Sequence, residues 1–214
     1  MVSESEASAP PDVEAALGLY RVRSAYYDWQ LAPYEAIRQA AIDRLHLKPG
    51  DVVLDVGCGT GLSLAALQAG VGETGRVVGI DQCPEMVAAA RQRVGRHGWR
   101  QVKLECAPLE DAHLPRQADA ALFHFTHDIL QSDAALDHVL SHLKPGARVA
   151  VTGLKWTAPW LGGLNALVWW NAMQSVTTLH GMDAPWMPLV ERGAQLSFDY
   201  YVMGTIYVAS GTLP

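Results

Sequence analysis

A glycine-rich turn that directly follows a short apolar run limits the possible folds of this chain more than any other feature. Residues 53–61 read VLDVGCGTG. The apolar run predicts a buried strand. The glycines predict a tight turn where backbone can approach a ligand, because no side chain intervenes. A helix predicted from Leu62 to Gln68 points its first amides at the same place. This arrangement is typical of a nucleotide pocket above a strand-turn-helix unit.

The spacing of the glycines indicates which kind of nucleotide ligand fits. Gly57, Gly59 and Gly61 follow Gly-x-Gly-x-Gly, whereas the dinucleotide fingerprint is Gly-x-Gly-x-x-Gly. The turn is also not followed by the Lys-Ser/Thr pair of a phosphate loop. Both departures favour a nucleoside ligand without a pyrophosphate and disfavour an NAD-binding fold.

An acid lies at the expected distance after this turn. The predicted strand Arg76–Ile80 ends at Asp81, where an acid in a doubly wound sheet reaches ribose hydroxyls. The alternative role of Asp81 is to cap the helix that begins at Pro84. Cys83, just before that helix, is itself a weak cap.

Strands alternate with helices through the middle of the chain, which predicts a parallel sheet covered on both faces. Further strands are predicted at 101–106, 118–124 and 148–152, with helices at 84–96 and 134–142. The first strand is predicted at 52–55, and a final strand pair at 195–202 and 205–209.

The segments VLDVGCGTG and VVGIDQCPEMVAAAR together resemble the class I S-adenosylmethionine-dependent methyltransferases, most closely the small ubiquinone-biosynthesis type (methyltransferase type 11-like). The resemblance covers roughly residues 45–155. It implies an α/β, Rossmann-like sheet of seven mostly parallel strands, with helices on both faces and an antiparallel C-terminal strand pair. It also implies S-adenosyl-L-methionine as the cofactor.

The resemblance assigns cofactor contacts along the carboxyl edge of this sheet. Asp55 would orient the turn and face the ammonium group, or cap turn amides, and the two roles are compatible. The remaining expected contacts are Tyr20, Tyr26, Gly57, Cys58, Gly59, Asp81, Gln82, Met86, Ala107, Pro108, Leu109, His124 and Phe125. The alternative for Met86 is a place in the core.

One expected contact departs from the family pattern. The family typically has an acid near position 107 to hold the adenine amino group, and this chain has Ala107. Glu110, Asp111 or backbone near Ala107 would have to replace it.

Three residues are candidates for catalysis. His127 or His124 could serve as a general base, because imidazole titrates near neutrality, and Tyr27 is expected to face the pocket. The alternative is that Thr126 and Asp128 cap the next helix while both histidines pack structurally. Methyl transfer from a sulfonium also proceeds by proximity alone.

The ends of the chain form the predicted lids. Residues 1–12 are expected to be a disordered tail, and 13–214 one domain with a helical lid at 13–45 and an aromatic-rich lid at 153–192. The apolar stretch 158–170 is too short, and too interrupted by Pro, Gly and Asn, to span a bilayer. The aromatic segment 156–170 could be a lid, a homodimer interface or a membrane-surface patch.

Composition restricts the partners. A net charge of −6 without a long basic run argues against nucleic acid and favours a small-molecule acceptor. The three cysteines lack the spacing of a zinc site, so no metal is expected. We expect them to be reduced thiols near the pocket floor of a cytoplasmic protein. The alternative is a redox-sensitive site.

Three functions remain open from the sequence. The first is methyl transfer to a small acceptor by in-line displacement. The second is closure of the cofactor on itself to azetidine-2-carboxylate with release of methylthioadenosine, in an acceptor pocket too tight for another nucleophile. The third is a non-catalytic module that binds the cofactor.

Overall fold

A seven-stranded sheet organises the structure, a computed structural model that describes residues 32–173 and 176–214. The strands lie in the order β3-β2-β1-β4-β5-β7-β6. Their bounds are β1 Val52–Val56, β2 Arg76–Asp81, β3 Val102–Cys106, β4 Ala118–His124, β5 Leu143–Leu154, β6 Gln195–Tyr201 and β7 Ile206–Thr212.

The first five strands are parallel, and β7 pairs antiparallel with both β5 and β6. The chain order reverses between β1 and β4, so the carboxyl ends of these two strands border a crevice of the kind in which α/β proteins bind ligands. This confirms the predicted fold class, including the antiparallel C-terminal pair.

Helices cover the two faces of the sheet. Their bounds are α1 Glu35–Asp43, α2 Leu64–Val71, α3 Pro84–His97, α4 His127–Leu130, α5 Asp133–Ser141, α6 Gly162–Ala172 and α7 Met187–Glu191. Short 3-10 turns occur at Ala32–Tyr34, Leu109–Asp111 and Val202–Gly204.

The alternation of side chains along the strands divides the core into two layers. Leu54 and Val56 pack on one face with helices α5 and α7, whereas Val53 packs on the other with α1 and α2. Burial on both faces explains why the central strands read as continuous apolar runs.

Several element boundaries differ from those predicted. Helix α2 begins at Leu64 rather than Leu62, because the turn continues through hydrogen bonds from the Gly61 N–H to Cys58 O and from the Leu64 N–H to Gly61 O. Strand β5 begins at Leu143, which pairs with Ala118 across a register shift.

The remaining boundary changes are smaller, except at the last strand. Strand β7 runs to Thr212, because it pairs with β5 along its whole length from Ile206. Strand β6 ends one residue early, at Tyr201, and β3 starts one residue late, at Val102. Helix α3 continues to His97, and α5 spans Asp133–Ser141.

The predicted tail and most of the helical lid at 13–45 lie outside the described residues. Of that lid the structure describes the 3-10 turn Ala32–Tyr34 and helix α1. Among the described helices, none is both long enough and apolar enough to cross a membrane.

Candidate functional site

The glycine turn after β1 forms the floor of a pocket at the carboxyl edge of the sheet. Gly57 has a φ of +69°, a left-handed conformation that favours glycine. A Cβ at this position would lie 2.5 Å from Cγ2 of Thr126. The turn therefore requires Gly57 both for its backbone conformation and for its closeness to the start of α4.

Asp81 ties the glycine turn to the next strand. Its Oδ2 accepts a hydrogen bond from the Gly59 N–H (2.9 Å), and its Oδ1 accepts one from the Cys83 N–H (2.8 Å). Each carboxylate oxygen has a second lone pair, so these bonds leave Asp81 able to accept ribose hydroxyls. The structural and ligand-binding roles considered for Asp81 are thus compatible.

A buried arginine faces the pocket from helix α1. Arg38 is 2% exposed and lines the pocket with Asp55, the glycine turn, Thr60, Ser63, His124 and Phe125. Its Nη1 is paired with Glu35. Among the described residues, its Nη2 has no hydrogen-bond partner, and neither has Oδ2 of Asp55.

Burial shifts the titration of the charged groups around this pocket. It raises the pKa of Asp55 to about 7, with Arg38 opposing the shift and Asp81 adding to it. Burial also raises the pKa of Asp81, although its two amide hydrogen bonds work in the opposite direction.

His124 is held neutral in the same pocket. Burial and then the nearby Arg38 charge lower its pKa to about 3. Neither of its ring nitrogens has a hydrogen-bond partner among the described residues. A buried imidazole with two unsatisfied nitrogens is suited to a polar ligand group.

Phe125 holds an unusual backbone conformation beside His124. Its φ is +55°, which is uncommon for a bulky side chain. The Phe125 ring contacts the His124 ring edge-on at 4.9 Å and the Tyr34 ring at 5.5 Å between centroids. Phe125 thus connects the wall of the pocket to the segment that precedes α1.

His127 is occupied by the aromatic-rich segment. It is buried, and its Nε2 lies 2.9 Å from His180 O. Because a carbonyl only accepts hydrogen bonds, Nε2 carries the proton. Burial lowers the pKa of His127, so the ring is neutral. Its Nδ1 has no partner within the described chain, and only this nitrogen could accept a proton.

Asp128 on α4 and Gln131 directly after it hold the same segment. Asp128 accepts hydrogen bonds from the N–H and Oγ1 of Thr177, at 2.9 and 2.8 Å to its Oδ2. Gln131, which follows α4, donates to Pro185 O at 3.3 Å. We call these contacts of residues 127, 128 and 131 the latch.

The predicted adenine contacts lie around the ends of β2 and β3. Gln82 is half-buried, Met86 is fully buried and Leu109 is buried, whereas Pro108 is exposed. Met86 therefore takes the core position that was its alternative. The Ala107 N–H donates to Asp81 O at 3.2 Å, which places Ala107 beside the ribose-binding candidate.

Some predicted residues fall elsewhere. Tyr20, Tyr26 and Tyr27 lie outside the described residues. Glu110 and Asp111 are exposed. Cys106 is exposed, whereas Cys58 and Cys83 are buried. It is the last residue of β3, a strand at the edge of the sheet. In 32–173 and 176–214 no three His, Cys, Asp or Glu side chains are grouped to hold a metal.

Sequence reasoning missed Arg38, Thr60 and Ser63. A signal for Arg38 was available, because it lies among Ile37, Ala41 and Ile42 on the buried stripe of α1, where a charge needs a partner. Thr60 and Ser63 follow the glycine turn and carry no distinctive pattern.

Comparisons with known proteins agree with this geometry. A family described as a methyltransferase domain matches residues 53–146. An arsenite methyltransferase of Halobacterium salinarum is 30% identical over 117 residues, 53% of this chain and 29% of that protein. A 2-phytyl-1,4-naphtoquinone methyltransferase of Trichormus variabilis is 30% identical over 132 residues, 58% of this chain and 56% of that protein.

The curated relatives are longer than the matched region. An uncharacterized 37.1 kDa transposon protein of Streptomyces fradiae is 34% identical over 59% of this chain. The matched region spans 38% of that protein and 29% of the arsenite methyltransferase.

Solved structures share the fold over most of both chains. The N-methyltransferase NodS of Bradyrhizobium japonicum, in complex with S-adenosyl-L-homocysteine, has a TM-score of 0.69 at 18% identity, covering 93% of this chain and 98% of that one. A DhpI–SAH complex has a TM-score of 0.64 at 24% identity, with coverage of 94% and 97%.

Proposed function

We propose that this chain, which belongs to the class I S-adenosylmethionine-dependent methyltransferases, transfers a methyl group to a small-molecule acceptor. S-adenosyl-L-methionine is its cofactor. The observation that carries the proposal is that two kinds of recognition group adjoin the glycine turn after β1. Asp81 provides an acceptor for ribose, while Arg38 and Asp55 bring opposite charges to the other side of the glycine turn.

The second end fits an amino acid. Nη2 of Arg38 and Oδ2 of Asp55 are buried without hydrogen-bond partners among the described residues, and such groups are costly unless a ligand satisfies them. A guanidinium binds a carboxylate, and a carboxylate binds an ammonium group. The methionyl part of the cofactor carries both, so we assign its carboxylate to Arg38 and its ammonium to Asp55.

When bound, the cofactor supplies a methyl group that its sulfonium charge has already activated. The chain positions the acceptor and excludes water. Gly57 and Gly59 let the ligand approach backbone closely, and the latch fastens residues 177–185 onto α4. Holding reactants in line contributes several kcal/mol to lowering a barrier without a base.

A base, if the acceptor requires one, would come from His124 or from Nδ1 of His127. His124 is the stronger candidate, because it lines the pocket and both its nitrogens are available. Its lowered pKa keeps it unprotonated at neutral pH, but a base with so low a pKa is weak. We therefore expect an acceptor that is already a good nucleophile or loses its proton readily.

A small acceptor is supported by the negative net charge. The phytyl-naphtoquinone and arsenite enzymes among the relatives act on small molecules by their names. We further propose that residues 13–214 form one domain, with lids at 13–45 and 153–192.

Mass spectrometry tests this function. The protein is incubated with S-adenosylmethionine and a panel of small amines, phenols and carboxylic acids, with Asp81→Asn as the control. We expect release of S-adenosylhomocysteine that depends on the acceptor and is lost in the variant. Release that persists in Asp81→Asn would contradict the assignment of the site.

The same incubation without any acceptor tests self-cyclisation. Methylthioadenosine above the non-enzymatic blank, with a matching amino-acid product, would establish that alternative and refute methyl transfer. A cofactor that binds and remains unchanged under all conditions would indicate the non-catalytic module.

A further inference from the structure

Helix α6 exposes a face without a polar side chain. The exposed residues of α6 and its C-cap are, within the part that the structure describes, Gly162, Gly163, Ala166, Leu167, Trp169, Trp170 and Met173. Trp160, just before the helix, is 83% exposed. Surface helices normally present charged or polar residues to water, so this face is built for an apolar environment.

Within residues 32–173 and 176–214, buried contacts anchor this helix along one stripe. Val168 and Ala172 are buried and form a small cluster with Met182, separate from the two layers of the main core. At 3.6 residues per turn, the exposed residues extend over about 160° of the helix surface. A single partner helix would cover a narrower stripe of this helix. A lipid surface, in contrast, can contact all of the exposed residues at once.

Formal charge is missing from the whole segment. From Trp156 to Met182 the sequence contains no Asp, Glu, Lys or Arg, and Lys155 and Asp183 flank this run. With a net charge of −6, the protein is repelled by anionic surfaces. The segment is therefore compatible with an uncharged surface. Tryptophan side chains are enriched at the interface between hydrocarbon and water.

A second segment of the chain exposes apolar side chains at the same edge. Val202 is 53% and Met203 73% exposed, and both have a positive φ, +49° and +56°. For the β-branched Val202 this conformation is a genuine outlier. Such strain persists at places where function requires it.

The two segments are close in the fold. Ile206 pairs with Leu154 at the end of β5 and with Tyr201 at the end of β6. The chain leaves these two strand ends towards α6 and towards Val202, and strands two positions apart lie about 10 Å from each other. Both segments therefore emerge from the carboxyl edge of the sheet, where the pocket also lies.

We propose that Trp160, Leu167, Trp169, Met173, Val202 and Met203 form a docking surface for a zwitterionic lipid membrane. The two separate segments insert their apolar side chains at the level of the headgroups, and α6 lies in the plane of the surface. Docking would hold the edge that carries the pocket against the lipid. This proposal rests on the exposed face alone and does not depend on the methyl transfer.

Vesicle co-sedimentation with phosphatidylcholine tests the proposal. The wild-type chain, Trp160→Ser/Trp169→Ser and Val202→Asn/Met203→Asn are compared at matched lipid concentrations. Asparagine tolerates a positive φ, so the second variant keeps its turn. The control is Met187→Asn/Val190→Asn, which removes the same two residue types from exposed positions on α7.

We expect wild type and control to bind the vesicles, and each of the other variants to lose at least tenfold in partition coefficient. Equal binding by all four proteins, no binding by wild type, or binding only to anionic vesicles would overturn the proposal. Wild type could instead be a dimer in sedimentation equilibrium that does not bind vesicles and becomes monomeric in Trp160→Ser/Trp169→Ser. That result would overturn the membrane proposal and identify a second copy of this chain as the partner of the surface. None of these readouts uses the cofactor, so they leave the proposed activity untouched.

Discussion

At the scale of single residues, Arg38 has the greatest consequence for the site. It is a buried cation on the apolar stripe of α1, and within the described part of the chain its ion-pair partner is Glu35, a largely exposed side chain. A buried charge with a free donor is costly unless a ligand completes its hydrogen bonds. Because the cofactor's amino-acid end carries a carboxylate, we expect Arg38 to favour that ligand over a simple nucleoside.

Arg38→Met tests that discrimination. The variant loses the proposed hydrogen bond between the guanidinium and the ligand carboxylate, which contributes about 2 kcal/mol to the binding free energy. Binding of S-adenosylhomocysteine should therefore weaken about 30-fold. Binding of methylthioadenosine, which lacks the amino-acid group, should stay within about twofold, since the variant leaves the ribose contact intact. Calorimetric titration with both ligands gives the answer, and equal loss for the two would place Arg38 in a structural role.

Asp55 should make cofactor binding depend on pH. Burial raises its pKa to about 7, so a growing fraction is protonated as the pH falls below neutrality. The ammonium group prefers the ionised form, so affinity for S-adenosylhomocysteine should increase between pH 6 and 8. The titration is repeated with Asp55→Asn, whose affinity should not rise over this range; a parallel rise in the variant would remove Asp55 from the account.

At the scale of elements, α4 and the residue after it hold the segment at 177–185. The latch joins a helix of four residues to a stretch about 50 positions later in the chain. No local pattern encodes such a contact, which is why His127 and Asp128 could be read from sequence only as a base and a helix cap.

Asp128→Ala should release this segment. Removing hydrogen bonds to a carboxylate is expected to cost about 1.5 kcal/mol and to raise hydrogen exchange at residues 177–182. Asp183→Ala, a change at an exposed acid in the same stretch, is the control and should leave exchange as in wild type. Protection unchanged in Asp128→Ala would mean that packing of Met182, rather than the latch, secures the segment.

The strand-and-turn elements were predictable because local chemistry determines them. Glycine spacing, the acid at Asp81 and the apolar runs predicted the positions of the seven strands, whereas the antiparallel pairing of the last two came from the family resemblance. Boundaries differ where pairing with a distant strand decides them, as in β7, which extends to Thr212 along β5.

At the scale of the whole molecule, the buried pocket should affect stability. His124 has a pKa of about 3 in the folded state, against an ordinary value of 6.5. Below pH 6.5 the imidazole therefore binds a proton in the unfolded chain but not in the folded protein. As the pH falls from 6.5 towards 3, His124 thus lowers the free energy of unfolding.

His124→Phe should reduce that loss. Between pH 7 and 4.5 the free energy of unfolding should fall by about 2 kcal/mol less in the variant than in wild type, at 1.36 kcal/mol for each pKa unit. Urea unfolding at several pH values measures the difference. Parallel curves for the two proteins would show that His124 titrates alike in the folded and unfolded states.

The most direct measurement is calorimetric titration of the purified protein with S-adenosylhomocysteine and, separately, with NADH, for wild type and Asp81→Asn. We predict a single site for S-adenosylhomocysteine in wild type, affinity at least tenfold weaker in Asp81→Asn, and no heat from NADH. Binding of NADH, or S-adenosylhomocysteine binding that Asp81→Asn leaves unchanged, would contradict the assignment of the glycine turn and Asp81 to this cofactor.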